Sequence, residues 1–486
     1  MRTGRRSRED RRDDGPGWAV LATLMLATLL ANVASVCLFP QVVSLSTEFG
    51  RPVSTVVWTM VIFDVIATGV GGVAAALGAV VGNRRMLAVA LVLLMAGSLV
   101  AALSTNLVLL IVARAMQGVS MAVQALSIGI IAYYWRGESM RRAISLIVLS
   151  MGLGGLVAYL AGGLIAEAGG DWRIMFWALF AAAGLDLLLT LMVVKETKQS
   201  KGVPVDYGGC AGLIVWAVLL LLPLSQANSW GWGSVRVLGL LLPGLVVLAL
   251  WVVWELRRSA PLVDLRLLGR TGVWQGAVVV FSMSVTLCVP SVAVPYLFQT
   301  PVASGFGFGA SILTVALALA VPAVLIMLLS ATATGLMRRI GAKRTLLLGA
   351  GFGLSGLGMA VAHGSVGINL VWLAATGVMT AWAGSAAYAV GTEAVSPRQG
   401  VIVSTIYHTA GGGGAALAAA AAGYVLTVRE VAVEVMTSAG PTLETFPAEE
   451  AFSWSAALVG LAALAAIVCV LTIRPERLPN PAREDW

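Results

Sequence analysis

Leu77-Gly78-Ala79-Val80-Val81-Gly82-Asn83-Arg84-Arg85 and Leu336-Met337-Arg338-Arg339-Ile340-Gly341-Ala342-Lys343-Arg344 share the form L-x4-G-x-[RK]-R. Each stretch is a short basic turn between two long apolar runs, 54–81 and 86–104 around the first, 309–336 and 344–362 around the second. A hydrocarbon layer about 30 Å thick takes about 20 helical residues to cross, so each run is long enough for the passage. Lipid offers no partner to a backbone N–H or C=O, which makes helices of them. The recurrence of one turn at matching points of two apolar hairpins is the mark of a duplicated helical bundle, with a path at the interface of the copies.

Working outward from these turns, the same reading gives fourteen spans: 18–43, 54–81, 86–104, 107–134, 143–166, 173–194, 208–226, 235–256, 272–299, 309–336, 344–362, 367–392, 401–426 and 452–473. The expected fold is an all-α polytopic membrane protein of two six-helix bundles plus two additional central helices. Its divisions are a basic arm over 1–17, a first bundle over 18–195, an inserted pair over 207–257, a second bundle over 271–474 and a tail over 475–486. Composition agrees: 59% of the 486 residues are hydrophobic and 11% charged, against about 25% charged in soluble domains.

The net charge of +8 could belong to a nucleic-acid binder, so the placement of the basic residues decides. They gather at alternate span ends: the arm with Arg2, Arg5, Arg6, Arg8, Arg11 and Arg12; Arg84 and Arg85; Arg136, Arg141 and Arg142; Lys195, Lys198 and Lys201; Arg257, Arg258, Arg266 and Arg270; Arg338, Arg339, Lys343 and Arg344; Arg398; and the tail from Arg474. The opposite loops hold Arg51, Arg173, Arg236 and Arg429. This is the positive-inside pattern of a plasma-membrane protein with both termini cytoplasmic, and it argues against nucleic acid as a partner. The arm imitates a signal peptide, but the apolar run from Trp18 exceeds a signal core and reads as a retained first helix. Cys37, Cys210, Cys288 and Cys469 lie far apart with no metal-ligand spacing, so no metal or cofactor is expected. The loop at 427–451, with Glu430, Glu434, Glu444, Glu449 and Glu450, reads as a solvated surface loop.

Several further strings resemble the major facilitator superfamily and, within it, the fourteen-helix drug:proton antiporters. The two basic turns are similar to that family's cytoplasmic loop motif, so Gly82, Arg84, Arg85, Gly341, Lys343 and Arg344 are carried over as its residues. Arg114-Ala115-Met116-Gln117-Gly118 resembles the R-x-x-Q-G motif of span four, and Gly152, Gly154, Gly155, Gly162 and Gly163 resemble the glycine-rich motif of span five. Asp171-Trp172-Arg173-Ile174-Met175-Phe176 is similar to the string that follows it, and Tyr296-Leu297-Phe298-Gln299 to a Y-L-Q signature in span nine. The resemblance implies proton-coupled efflux of amphipathic or aromatic small molecules by a monomer in the lipid bilayer. Departures touch the coupling. The loop aspartate is Ala79 in one copy and Arg338 in the other, Ala158-Tyr159 replaces Gly-Pro in span five, and Ala31, beside Asn32, occupies the register of a span-one aspartate.

Ionisable groups in hydrocarbon cost about 2.5–3.5 kcal/mol each on insertion scales and therefore face a partner or a pathway. Asp64 and Arg114 are both placed about 10–15 Å deep by a 1.5 Å rise per residue. They are expected to meet, either as an ion pair exchanged for a proton or a cationic substrate, or as a permanent structural pair. Gln117, one turn from Arg114, is a substrate contact or a helix–helix hydrogen bond. His408 is a proton shuttle or a packing residue, and Asp186 contacts the inserted pair. Asn32, Tyr159, Tyr296, Trp382 and Tyr388 are candidates for a substrate pocket, or else members of interfacial belts and packing. Gly411 to Gly414 suggest a hinge or a close helix crossing, since each glycine costs about 1 kcal/mol in a helix. Glu255 and Glu393 are expected at the interface. No G-x4-G-K-[ST] stretch, HExxH or Ser/His arrangement supports an ATPase or another enzyme. An importer or lipid-related transporter on the same scaffold, and a non-transporting sensor or assembly partner, remain as alternatives.

Overall fold

The computed structural model describes residues 17–135, 137–197, 206–258, 261, 265–270, 272–361, 364–395, 397–437 and 440–473. The arginines of the arm, Arg136, Lys198, Lys201 and the tail lie outside them, as do the side chains of Ala79, Arg141, Glu393, Arg398, Glu434 and Glu444.

The chain begins with α1 (Trp18–Val36), a 3-10 turn at Phe39–Gln41 and α2 (Val42–Phe49), which together form one bent rod. Pro40 lies in the bend, where its missing N–H cannot serve the helical ladder. A single turn at Val53–Val56 leads to α3 (Trp58–Val81), followed by α4 (Asn83–Ala102), α5 (Leu107–Gly118) and α6 (Ala122–Tyr134). Then come α7 (Gly137–Glu167), α8 (Arg173–Val193), α9 (Tyr207–Trp230) and α10 (Val235–Arg257). The second series runs α11 (Val273–Gln299), α12 (Ile312–Ile340), α13 (Ala342–Gly353), α14 (Ser355–Val361), α15 (Val366–Met379), α16 (Ser385–Glu393) and α17 (Pro397–Val428). Strands β1 (Glu430–Thr437) and β2 (Gly440–Pro447) precede the last helix, α18 (Glu449–Leu471). Side-chain caps open several helices: Asn106, Asp206, Ser234, Ser311 and Ser365 each accept the backbone N–H three residues on.

Among the described residues eleven helices are long and apolar enough to cross a bilayer, from Trp18–Phe49 to Glu449–Leu471. Of the other three expected spans, α3 and α9 are continuous helices of 24 residues each, whose described apolar stretches are Trp58–Val70 and Tyr207–Leu220. The run at 344–362 is split into α13 and α14 at Leu354, after Gly349, Gly351 and Gly353.

Packing repeats along the chain. α1 lies on α7 and α8, and α4 on α8; in the second series α11 lies on α17 and α18, and α14 and α13 on α18. The two series meet through α3 on α17 and α7 on α12, a reciprocal pair of crossings. The inserted helices α9 and α10 pack on each other, and α9 also touches both α3 and α17.

The structure bears on three further expectations, the first of which it corrects. The 427–451 segment is not an irregular loop: β1 and β2 pair antiparallel from Glu430 opposite Pro447 to Thr437 opposite Gly440, with Val433 buried. Glu255 lies in the last turn of α10 and is 1% exposed. The glycines 411–414 are helical, and of the two expected alternatives two of them match the close crossing: a methyl group at Gly412 would land 2.0 Å from Thr68 Oγ1 and one at Gly414 2.7 Å from the Phe281 carbonyl, while one at Gly413 meets nothing within 4 Å.

Candidate functional site

Arg114 is the largest fully buried side chain among the described residues. Its Nε donates to the Thr59 carbonyl at 3.0 Å, Nη1 to the Ala34 carbonyl and to Gln117 Oε1 at 2.8 Å, and Nη2 to the Ser35 carbonyl at 3.2 Å. The guanidinium also lies 4.4 Å from the centre of the Phe63 ring. Ala34 and Ser35 belong to the last turn of α1, whose carbonyls have no partner within the helix and carry the negative end of its dipole. The bend at Pro40 therefore creates the acceptors that a buried cation needs. Gln117 continues the network by donating from Nε2 to Ser98 Oγ at 2.9 Å, which ties α5 to α4.

This arrangement corrects the expected ion pair. Asp64 lies within electrostatic reach of Arg114, but the arginine's donors are directed to carbonyls and to Gln117. The half-buried Asp64 carboxylate makes no hydrogen bond or ion pair among the described residues. Cys288 of α11 is also within electrostatic reach of Asp64. Tyr159 of α7 has its hydroxyl beside Ser291, one turn along α11 from Cys288. Asp64, Tyr159, Cys288 and Ser291 thus form a polar seam between the two series of helices. The sequence reading named Asp64 and Tyr159 but missed Cys288 and Ser291, whose i, i+3 spacing on one helix face was the available signal.

The remaining candidates do not join this seam. Asn32 donates to the Thr28 carbonyl of its own helix at 2.9 Å and packs against Gly154 of α7. Tyr296 and Gln299 reach from the end of α11 to the carbonyls of Val42 and Pro40, at 3.3 and 3.4 Å, so they fasten the two series together at the end opposite the basic turns. Trp382 sits in a π-helical turn at Thr380–Gly384, donates to Thr332 Oγ1 at 3.0 Å and packs edge-on to Phe352. Tyr388 packs edge-on to Tyr407 at 5.2 Å. The half-buried His408 lies one turn before Gly412, on the α17 face that approaches α3. Asp186 and Thr190 are fully buried with side-chain oxygens lacking hydrogen-bond partners among the described residues, on a helix that packs chiefly on α4 and α1 and not, as expected, on the inserted pair.

At the basic end the two glycine turns are fastened in different ways. Gly82 has φ +112° and Gly341 φ +87°, conformations that a side chain would strain. Glu196, just beyond α8, accepts the N–H of Arg84 at 3.1 Å and approaches Arg85 Nε at 3.6 Å, while Thr197 Oγ1 accepts the N–H of Asn83 at 3.1 Å. Two of the free N–H groups at the start of α4 are thereby capped from another helix. In the second turn Lys343 Nζ donates to the Leu471 and Ile473 carbonyls at 3.1 and 2.6 Å, at the C-terminal end of α18, and Arg344 stays exposed. Glu196 was not foreseen, although it restores a carboxylate to the turn where Ala79 lacks one.

Residues 24–419 match the family model of the Major Facilitator Superfamily. An uncharacterized MFS-type transporter of Bacillus subtilis, YhcA, is 27% identical over 256 residues, covering 51% of this chain and 47% of that protein. The multidrug resistance protein Stp of Mycobacterium tuberculosis is 30% identical over 196 residues, covering 40% of this chain and 36% of Stp. The chain spans about half the length, or less, of these curated relatives. Among solved structures a D-xylose-proton symporter is similar with a TM-score of 0.65 at 17% identity, covering 95% of this chain and 98% of that one, a likeness of fold alone.

Proposed function

Because the chain belongs to the Major Facilitator Superfamily, a family of membrane transporters rather than enzymes, we propose that it is a proton-coupled exporter of amphipathic or aromatic small molecules. It works by alternating access as a monomer in the plasma membrane. In this reading α3, α9 and the α13–α14 pair complete fourteen spans, both termini are cytoplasmic, and bundles over 18–195 and 271–474 rock about the seam with the 207–257 pair between them. The Major Facilitator relative Stp, a multidrug resistance protein, supports the substrate class.

One observation supports the coupling: the Asp64 carboxylate lies at the seam of the two series without a hydrogen bond or an ion pair among the described residues. A charge so placed attracts a proton or a cation, and the two compete for it. Arg114 organises the site by fixing α1, α3 and α5 around it. Gln117 serves that structural network through Ser98, and His408 is a second proton-accepting candidate on the facing helix.

The test is efflux from energised cells or proteoliposomes, with and without an uncoupler, for the protein and for Asp64→Asn. Loss of gradient-dependent efflux in Asp64→Asn, with folding intact, supports the reading. An unchanged rate and an unchanged proton dependence in that variant remove Asp64 from the mechanism.

A further inference from the structure

The two basic turns are built alike up to one piece. Arg84, two residues past Gly82, donates from Nη2 to the carbonyl of Leu191 in the last turn of α8. Lys343, two residues past Gly341, donates from Nζ to the carbonyl of Leu471, the last residue of α18. The duplication therefore sets Leu191 and Leu471 in register. Five residues beyond Leu191 stands Glu196, whose carboxylate accepts the Arg84 N–H at 3.1 Å and approaches Arg85 Nε at 3.6 Å. Five residues beyond Leu471 the sequence again has a glutamate, Glu476, in the tail outside the described residues. The turn that it would serve lacks an acid. Among the described residues Gly341 supplies no side-chain cap, the N–H groups of Ala342 and Lys343 have no acceptor, and Arg338, Arg339 and Arg344 are exposed without an ion pair.

We propose that the tail docks on the second turn through Glu476, whose carboxylate accepts the Lys343 N–H at the start of α13 and pairs with Arg344, as Glu196 does for Arg84 and Arg85. Reach allows it. The Ile473 carbonyl already lies 2.6 Å from Lys343 Nζ, and the three residues from there to Glu476 span up to about 10 Å, enough to follow the lysine side chain back to its own N–H. Charge favours it as well. The open start of a helix carries the positive end of its dipole, three exposed arginines surround this one, and Glu476 is the first acid after α18. The docked carboxylate excludes the phosphates of the inner leaflet from the turn. It also binds the α12–α13 hairpin to the last helix of its own series, as Glu196 binds the α3–α4 hairpin to α8, so that the basic end of each series moves as one piece. None of this depends on the direction or the coupling of transport.

The experiment is amide hydrogen exchange, resolved to single residues by mass spectrometry, on the full chain in nanodiscs of zwitterionic phosphatidylcholine. Glu476→Ala is expected to speed exchange at the Lys343 N–H about 2- to 30-fold, the usual worth of a missing helix cap, and to leave the Arg84 N–H unchanged. Glu196→Ala should do the reverse. Glu476→Gln keeps an acceptor and loses the charge, so its rate should fall between the native protein and Glu476→Ala; it also carries the test should the alanine variant not be recovered folded. A second set of nanodiscs containing phosphatidylglycerol separates the tail from lipid. Protection of Lys343 that is the same in both lipids and lost with Glu476 supports the docking. Exchange at Lys343 that ignores both substitutions overturns it, and so does protection that appears only with phosphatidylglycerol and survives Glu476→Ala, which would make a lipid phosphate the occupant of the turn.

Discussion

Glu196 accepts the backbone N–H of Arg84 at 3.1 Å across 112 residues of sequence, so the end of α8 caps the start of α4. A helix N-terminus favours a negative charge, and the cap satisfies a donor that the helix itself leaves open. Glu196→Ala is expected to cost about 0.5–2 kcal/mol, the usual worth of a missing cap, whereas Glu196→Gln keeps the acceptor and loses only the charge. Thermal unfolding in detergent should rank the native protein above Glu196→Gln and Glu196→Ala last. Equal melting temperatures for all three would mean that the cap contributes nothing.

Gly82 and Gly341 occupy equivalent turns but should not respond alike. Both have backbone conformations costing a side chain about 1–3 kcal/mol. At Gly82 a methyl group would also lie 2.4 Å from Glu196 Oε1, while at Gly341 it meets nothing within 4 Å. Gly82→Ala should therefore lower the melting temperature more than Gly341→Ala. Combining Gly82→Ala with Glu196→Ala should recover part of the loss.

Arg114 holds three carbonyls and Gln117 from one buried guanidinium. Removing it strands those acceptors, and each buried group left unsatisfied costs about 1–3 kcal/mol. Arg114→Ala should sharply reduce folded protein recovered by size-exclusion chromatography. Arg114→Lys should be intermediate, because an ammonium cannot reproduce the planar fork. Asp64→Asn, which breaks no hydrogen bond or ion pair, should retain native yield.

The α3–α17 crossing depends on the absence of a side chain at Gly412, beside Thr68. Gly412→Ala should destabilise the protein, and Thr68→Ala should relieve that effect, giving a coupling of about 0.5–3 kcal/mol in a double-mutant cycle. Simple additivity would mean that the two do not touch.

The long helices were legible because lipid demands apolar length, although the span 18–43 was read as one run and the bend at Pro40 within it was not drawn. The irregular members were not. Glycines in the 344–362 run open a break that apolar length hides, and β1 was passed over because its glutamates drew attention away from the alternation of Val431, Val433 and Val435. At the seam, depth alone placed Asp64 and Arg114 near one another but could not reveal that the carbonyls of Ala34 and Ser35 would take the arginine. Glu196 escaped for a related reason: a partner for the turn was sought in the loop itself, and it arrives from a distant helix end. Aromatic residues such as Trp382 and Tyr388 carry no sequence signal separating a ligand wall from ordinary packing.

The inserted helix α9 touches α3 on one side and α17 on the other, with Ile214 pressed against Gly69. In the proposed transport cycle a rotation of one series against the other would shear this helix along at least one of its two neighbours. The pair would then act as a brake shoe between two turning bodies, with the bulk of residue 214 setting the friction of the stroke.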